Sequence, residues 1–391
     1  MVNWGSTNTY GGIGPSLCFV STVILWKLRD RLGSQRTFVW PDPHVEVKFL
    51  WRNSSFVVEF GDAERMRKIF EEKGFVVIAN VLSLDTTKEV KSLIWDYVEG
   101  ASAVKKRGIG LNREDPASWT PEAWPDVLEG GVFLSFGVGQ SRACWKVRTL
   151  PNVHRVFRDF WRTEGGLLTS FDSLLLWRRG ERTEKGWFHV DQNPSVRRGF
   201  ANVQGLVNLV KVVEGRGGNV LVPGSHKMFD KWRESKIYRD KIKEVDGDDW
   251  MEISGDDVQK AGGGVMVEMN PGDLLLWDSR TIHCSNGEDE TVERGGGGEV
   301  TVDGGEVTRA AVLVTMYPEE RVGEDVRKRR REGVERGATG THWANKMAVL
   351  GAERGEEVDV EANRVRLMRR AGVGIVAGAE EVKALGGWDL V

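Results

Sequence analysis

The sequence predicts a mainly β protein with flanking helices, arranged as a β-sandwich or jelly roll. The first observation is a series of short apolar segments between Leu174 and Met316, each of strand length. The second is that turn signals separate them, including Pro-Gly at 223–224 and 271–272. Such spacing is typical of a jelly roll and not of alternating βαβ units. The expected strands are Leu174–Trp177, Trp187–Asp191, Val203–Val213, Asn219–Val222, Val265–Met269, Leu274–Trp277 and Ala310–Met316.

Helices are predicted on the N-terminal side of these strands. A helical pattern covers Asp62–Lys73, Asp85 is suited to cap a second amphipathic helix, and Pro151 suits the first position of a third. Residues before about 60 show no clear period, and the chain becomes charged and helical after Pro318. We therefore expect an irregular N-terminal extension (1–60), one jelly-roll domain with N-terminal helices (61–345) and a C-terminal helical tail packed on the core (346–391).

Composition and charge exclude several classes of function. With 40% apolar and 29% charged residues, the chain resembles soluble globular proteins that bury a hydrophobic core. A formal charge of −3 gives no general attraction to nucleic acid. The basic run 327–331 lies between acidic residues, so we interpret it as a solvated helix face. We expect a small-molecule substrate and no nucleic-acid partner; the oligomeric state is unknown.

The cysteines and the chain ends bear on location. Three cysteines, widely spaced, form neither a disulfide framework nor a CxxC zinc motif, which favours a reducing interior. The apolar run Leu17–Trp26 is too short to span a bilayer and lacks the features of a signal peptide. The last residues, 388–391, carry no SKL-type address. We expect an intracellular, cytoplasmic protein without a transmembrane helix.

A metal site is predicted from two histidines and one aspartate. His189 and Asp191 are two apart at the end of an expected strand, so their side chains point to one face. This pair alone is near the chance level, but His283 follows about 90 residues later, at the end of the apolar segment Gly272–His283. Two imidazoles and a carboxylate leave three coordination positions open, which suits Fe(II) with a co-substrate and O2. Zinc is the alternative metal.

Arg309 opens the last expected β segment and is costly to bury unless it meets a carboxylate. Its planar fork binds a carboxylate through two parallel hydrogen bonds and stays charged at neutral pH. It is therefore suited to hold the far carboxylate of 2-oxoglutarate while the other end chelates iron. The alternative is a surface arginine at the start of a strand.

Motifs in a fixed order give a family resemblance. The segments Trp187–Gln192, Gly217–Lys227 and Gly272–His283 resemble successive signatures of the phytanoyl-CoA dioxygenase-like family. Further matching elements are Gly74–Ile78, Gly139-Gln140, Trp145–Arg148 and Ser170–Asp172. The resemblance covers roughly residues 65 to 345.

The resemblance implies a double-stranded β-helix, the jelly-roll or cupin-like fold, and the use of Fe(II), 2-oxoglutarate and O2. It implies His189, Asp191 and His283 as iron ligands and Arg309 as the 2-oxoglutarate anchor. The interval of 26 residues (309 − 283) before Arg309 is longer than usual for the family, which leaves Arg294 as an alternative. Gln204 is a second candidate for binding the co-substrate. His226 and His342 are expected to have structural roles. Candidate substrate residues are Trp145, Arg148, Trp187, Gln192 and Arg198.

The predicted function is hydroxylation, or another oxidation, of a C–H bond in a small organic substrate that the sequence does not identify. 2-Oxoglutarate is converted to succinate and CO2. Relatives that halogenate carry a small residue in place of Asp191, so this carboxylate argues against halogenation. Two alternatives stay open: a non-catalytic jelly-roll scaffold, and a jelly-roll metalloenzyme that does not use 2-oxoglutarate.

Overall fold

Two six-stranded sheets carry the strands predicted after Leu174. The computed structural model describes residues 45–106, 110–125, 131–133, 135–178, 187–215, 217–235, 238, 250–287, 307–347, 355–372 and 374–386. The strands are β1 (Val47–Leu50), β2 (Val57–Glu59), β3 (Phe75–Ala79), β4 (Leu167–Thr169), β5 (Leu174–Arg178), β6 (His189–Val190), β7 (Val203–Asn208), β8 (Gly218–Leu221), β9 (Met251–Glu252), β10 (Gly264–Val267), β11 (Leu274–Asp278), β12 (His283–Asn286), β13 (Val307–Leu313) and β14 (Met316–Pro318).

The strand orders show repeated crossing between the sheets. The first sheet, which we call the ligand sheet, has the order β1-β10-β8-β12-β6-β9, and the second, the long sheet, has β2-β3-β11-β7-β13-β5. Strands β4 and β14 form a separate pair. Apart from the parallel edge pairs β1–β10 and β2–β3, the pairings are antiparallel. The predicted mainly β architecture with flanking helices is confirmed.

Helices surround this β core. They are α1 (Ala63–Lys73), α2 (Leu84–Lys106), α3 (Arg142–Arg148), α4 (Pro151–Trp161), α5 (Phe229–Glu234), α6 (Gly255–Lys260), α7 (Glu324–Arg336), α8 (Gly355–Arg370) and α9 (Ala379–Ala384). The predicted starts are confirmed at Asp62, whose side chain accepts a hydrogen bond from the Arg65 amide, and at Pro151, the first residue of α4. Among the described helices, none combines the length and apolarity needed to cross a membrane.

Within the described part of the chain, three hydrophobic clusters hold the layers together. One fills the space between the two sheets, with Val77 and Leu206 from the long sheet meeting Val220 and Leu221 from the ligand sheet. A second joins the outer face of the long sheet to helices α1 to α4. The third is a small cluster around Trp145 and is closed by C-terminal residues. The space between the sheets is where inward-facing polar residues can meet.

Several expectations need correction. Part of the region expected to be an irregular extension is regular, because β1 and β2 lie within residues 45–60. Strand β1 belongs to the ligand sheet and β2 to the long sheet. The strand expected over Val203–Val213 ends at Asn208. His283 does not end the preceding apolar strand: β11 stops at Asp278, the chain turns, and His283 opens β12 in the other sheet. Residues 1–44, the glycines at 295–298 and Arg294 lie outside the described residues.

Candidate metal centre

Two neighbouring strands and one turn bring His189, Asp191 and His283 together. His189 and His283 are direct register partners across the β6–β12 pair, and Asp191 follows β6 at once. The Nε2 atom of His283 lies 3.1 Å from Oδ2 of Asp191, and Nε2 of His189 lies 3.6 Å from Oδ1. One ligand atom from each residue fits within 4.8 Å of the others. The donor set can therefore grip one cation from one side, the arrangement typical of non-haem iron sites.

Backbone carbonyls fix the orientation of both imidazoles. Nδ1 of His189 lies 3.1 Å from the carbonyl oxygen of Trp187, and Nδ1 of His283 lies 2.9 Å from that of Thr281. Since a carbonyl only accepts, each Nδ1 carries the proton and donates. Both Nε2 atoms then present a lone pair toward Asp191 and a shared cation.

Burial and charge favour the ligand forms of these groups. Burial, with a contribution from His283, lowers the pKa of His189 to about 4, so its imidazole is neutral near pH 7. Burial alone would raise the pKa of Asp191, but the imidazoles of His189 and His283 outweigh it and hold that pKa well below its ordinary range. A neutral imidazole and an ionised carboxylate are the forms that bind a metal.

Gln204 holds the carboxylate in place. Its Nε2 donates a hydrogen bond to Oδ2 of Asp191 at 2.9 Å. Gln204 lies on β7 of the long sheet and is 4% exposed, so this contact joins the two sheets across the buried space. Gln204 was predicted to bind the co-substrate, and in the structure its amide directly orients Asp191, an expected iron ligand.

Aromatic rings enclose the histidines. Trp187 stacks on His189 with ring centroids 4.5 Å apart and an angle of 12° between the planes. Its Nε1 donates to the carbonyl of Ser285 on β12, which keeps the ring over the site. The Trp277 ring lies 5.5 Å from that of His283, and the Trp250 ring lies 5.8 Å from that of His189. These rings limit the access of water to the imidazoles.

Arg309 lies between the sheets and is 2% exposed. It donates to the side-chain oxygen of Asn219, and its guanidinium lies 4.4 Å above the ring of Trp177, its cross-strand partner. Among the described residues, none forms an ion pair with it and none hydrogen-bonds its buried Nη1. Burial lowers its pKa to about 9, so it remains a cation at neutral pH.

A small cavity of about 10 Å³ adjoins Arg309. Asn208, Asn219 and Leu221 are among its walls. Gln204, Leu206 and Asn208 are spaced by two along β7, so their side chains share one face. Leu221 is the register partner of His283. The cavity therefore lies next to the triad along β7. Its volume suits about one water molecule, so a dicarboxylate requires wall side chains to move outward. Met269, whose side chain is intrinsically flexible, is among the wall residues.

The candidate substrate residues are dispersed. Trp145 and Arg148 are fully buried and meet each other and Phe171, with the Arg148 guanidinium donating to the carbonyls of Gly139 and Asp172. Gln192 uses both ends of its amide inside the protein, accepting from Ser279 and donating to the carbonyls of the following loop. Arg198 is exposed on that loop. Of the five, Trp187 alone touches a triad residue through a contact described above.

Sequence reasoning did not identify Asn219, Trp177, Asp172 or His342 as site residues. Asn219 and Trp177 hold Arg309. His342 is close enough to the triad to lower the pKa values of both His189 and Asp191, and Asp191 contributes to raising that of Asp172. Asp172 and His342 belong to the sequence elements at 170–172 and 341–343. Their polar side chains within these elements are the signal that could have identified them. His226, as expected, has a structural contact, to the Glu71 carbonyl.

One family model and two known proteins match this chain in sequence. The family model of phytanoyl-CoA dioxygenase (PhyH) matches residues 182–289, which include all three triad residues. The chain is 31% identical over 235 residues to Ava biosynthesis cluster protein O of Aspergillus versicolor, covering 56% of this chain and 71% of that protein. It is 22% identical over 257 residues to a Dictyostelium discoideum protein named as a candidate phytanoyl-CoA dioxygenase, covering 56% and 69%.

Among solved structures, EctD from S. alaskensis with 2-oxoglutarate and 5-hydroxyectoine is 16% identical. The match covers 73% of this chain and 84% of that one, with a TM-score of 0.39. A likeness of this size carries no functional argument.

Proposed function

This chain belongs to the phytanoyl-CoA dioxygenase family, and we propose that it hydroxylates a C–H bond of a small organic substrate with Fe(II), 2-oxoglutarate and O2. The observation that carries the proposal is the pairing of two features in one buried space. One is a His-Asp-His donor set, and the other is a buried arginine that lacks a carboxylate partner among the described residues. A metal and a dicarboxylate together complete both features.

The chain's own residues divide the work. His189, Asp191 and His283 would hold the iron, with each imidazole fixed by the carbonyl that accepts from its Nδ1. Arg309 and Asn219 would bind the far carboxylate of 2-oxoglutarate. Gln204 keeps Asp191 from rotating, because it holds one carboxylate oxygen. A bound iron would supply the activation of O2, with one oxygen atom going to the substrate and the other to succinate as 2-oxoglutarate loses CO2.

The donor set also bears on the choice of metal. Three protein ligands on one side leave several positions free, as an oxygenase needs for co-substrate and O2. Structural zinc prefers four protein ligands in a tetrahedron, and the described residues offer three here. Catalytic zinc with three protein ligands and a water is the alternative, and the metal added in the assay distinguishes the two.

The test is substrate-independent conversion of 2-oxoglutarate to succinate by the full chain, with Fe(II), ascorbate and air. We expect succinate with Fe(II) and none with Zn²⁺. Asp191→Ala should reduce the rate to background, because it removes one of three ligands, whereas Asp230→Asn on the exposed face of α5 should retain it. Circular dichroism establishes that the variants are folded. Absence of Fe(II)-dependent turnover in the wild type, or full turnover in Asp191→Ala, contradicts the proposal.

A further inference from the structure

Two distant chain segments form one wall beside the triad. The amide of Gly340 donates to the carbonyl of Phe171 at 2.8 Å, and the amide of Gly139 donates to the hydroxyl of Thr339 at 3.1 Å. A Cβ atom on Gly139 would lie 2.1 Å from the Phe171 oxygen, so glycine permits this approach. The contacts bring Asp172, next to Phe171, and His342, two residues after Gly340, to neighbouring positions. We call Asp172, Asn202 and His342 the acceptor wall.

Hydrogen bonds connect this wall to the metal ligands. The amide of Asp191 donates to the carbonyl of Ser279 at 2.9 Å, and the amide of Ser279 donates to the carbonyl of Asn202 at 3.2 Å. Nδ2 of Asn202 then donates to the carbonyl of His342 at 3.1 Å. The electrostatic influence of His342 on His189 and Asp191 agrees with this proximity. The wall is therefore held at a fixed position relative to the triad.

In the 341–343 element, Trp343 is the residue that packs against the core. Trp343 is 1% exposed, and its ring lies 4.0 Å from the Arg197 guanidinium and 5.2 Å from the Lys346 ammonium. His342, by contrast, is partly exposed. Asp172 is also partly exposed. Asp172 and His342 thus both retain partial exposure next to the triad.

The chemistry of the wall is that of an acceptor. Oδ1 of Asp172 accepts a hydrogen bond from the amide of Ser173 at 2.8 Å, which fixes the carboxyl group in one orientation. Asn202 is fully buried, and its Oδ1 accepts no hydrogen bond from any described residue. A buried amide oxygen without a partner is unfavourable in the protein alone and is relieved by a donor from outside.

We propose that the acceptor wall orients the primary substrate, and that the substrate presents to it an alcohol or an amine close to the C–H bond that is oxidised. This inference rests on the proposed function and adds the substrate class. It assigns substrate recognition to residues other than Trp145 and Arg148, which are sealed in the core. A protonated amine carries enough N–H donors for both the carboxyl oxygen of Asp172 and the amide oxygen of Asn202, an alcohol can donate to one of them, and a purely apolar chain to neither.

The test uses matched fragments and the full chain with Fe(II) and 2-oxoglutarate. Sets of three compounds share one ring and carry a hydroxyl, an amino or a methyl group, for example cyclohexanol, cyclohexylamine and methylcyclohexane. The readout is the stimulation of succinate release above the rate without fragment. We expect a donor-bearing member to stimulate release and its methyl counterpart to fail. Asp172→Asn, which retains the Oδ1 acceptor, should raise the half-maximal concentration roughly tenfold or more for an amine, and less for an alcohol.

His342→Phe keeps a ring against Trp343 and removes the nitrogens, so it should also weaken the stimulation. Asp230→Asn is the matched control on the exposed face of α5 and should respond like the wild type. Equal stimulation by the methyl members, an unchanged response in both wall variants, or no stimulation by any donor-bearing fragment overturns the inference. Failure of the proposed function gives a different result, namely no succinate even without a fragment.

Discussion

The space between the sheets has a metal end and an arginine end, which differ in how completely the protein provides partners for their buried polar groups. At the metal end, the polar atoms of the triad have protein partners: carbonyls accept from both Nδ1 atoms, and Gln204 donates to Asp191. At the other end, Arg309 is a buried cation supported by one amide oxygen and one indole ring. The protein therefore arranges the metal end by itself, whereas the arginine end is stabilised fully only when an anion enters.

The metal end is preorganised for its ligand, whereas the arginine end is only complementary to one. A metal site gains from ligands that are already in place, because no reorganisation is needed at binding. A buried charge without a partner is unfavourable in the free protein and becomes favourable with its ligand, which makes affinity and stability oppose each other at that position. Substitutions at the two ends should therefore affect different measured quantities.

The largest effect is expected at Arg309. Arg309→Met should raise the KM for 2-oxoglutarate roughly 100-fold, because two charge-assisted hydrogen bonds are lost, and should leave the Fe(II) affinity nearly unchanged. It should also raise the melting temperature of the ligand-free protein, since an uncompensated buried charge is removed. Arg309→Lys keeps the charge but not the planar guanidinium, so its KM for 2-oxoglutarate should lie between those of the wild type and Arg309→Met. An unchanged KM in Arg309→Met would show that the anchor lies elsewhere.

A smaller effect is expected at Gln204. Gln204→Met preserves the size of the side chain but removes the hydrogen bond to Asp191, so the carboxylate is free to rotate. We expect the Fe(II) affinity to fall roughly 10- to 100-fold. At saturating Fe(II) the KM for 2-oxoglutarate should stay near the wild-type value, the opposite of the pattern at Arg309. If KM changes and metal affinity does not, Gln204 contacts the co-substrate, and the two ends are not distinct.

The smallest effect concerns stability at Asp172. Burial raises its pKa from 3.8 to about 7, so between these values the folded protein binds more protons than the unfolded chain. This residue therefore makes the metal-free protein less stable as pH rises from about 4 to 7. Asp172→Asn removes that loss. The free energy of unfolding of the variant minus that of the wild type should therefore be about 1–2 kcal/mol larger at pH 8 than at pH 5. Urea unfolding with a chelator measures it; a difference independent of pH refutes the assignment.

The sequence predicted the residues of the metal end better than those of the arginine end. His189 and Asp191 are two apart, and strand geometry alone puts them on one face. His283 was predicted as a partner, but on the wrong strand, because the turn after Asp278 contains no glycine or proline to mark it. The local pattern identified the residue types, and the pairing of β6 with β12 depends on the whole fold.

The environment of Arg309 could not be predicted in the same way. Its contacts come from Asn219 on β8 and Trp177 on β5, which are far apart in the sequence and carry no spacing rule. The same holds for the acceptor wall, where a backbone contact between Phe171 and Gly340 joins segments that periodicity treats separately. Periodicity reports which side of an element is buried, and it does not report which distant element lies opposite.

Strands β1 and β2 have a consequence for how the chain avoids self-association. Each lies at the outer edge of one sheet, with β1 covering β10 and β2 covering β3, whose five residues are all buried. A fragment beginning at residue 61, where the jelly-roll domain was expected to start, would leave these two apolar strands with unpaired backbone groups. Exposed edges of that kind are templates for pairing with another copy. Because β1 and β2 cover these strands, we expect a fragment that begins before β1 to aggregate less than one that begins at residue 61.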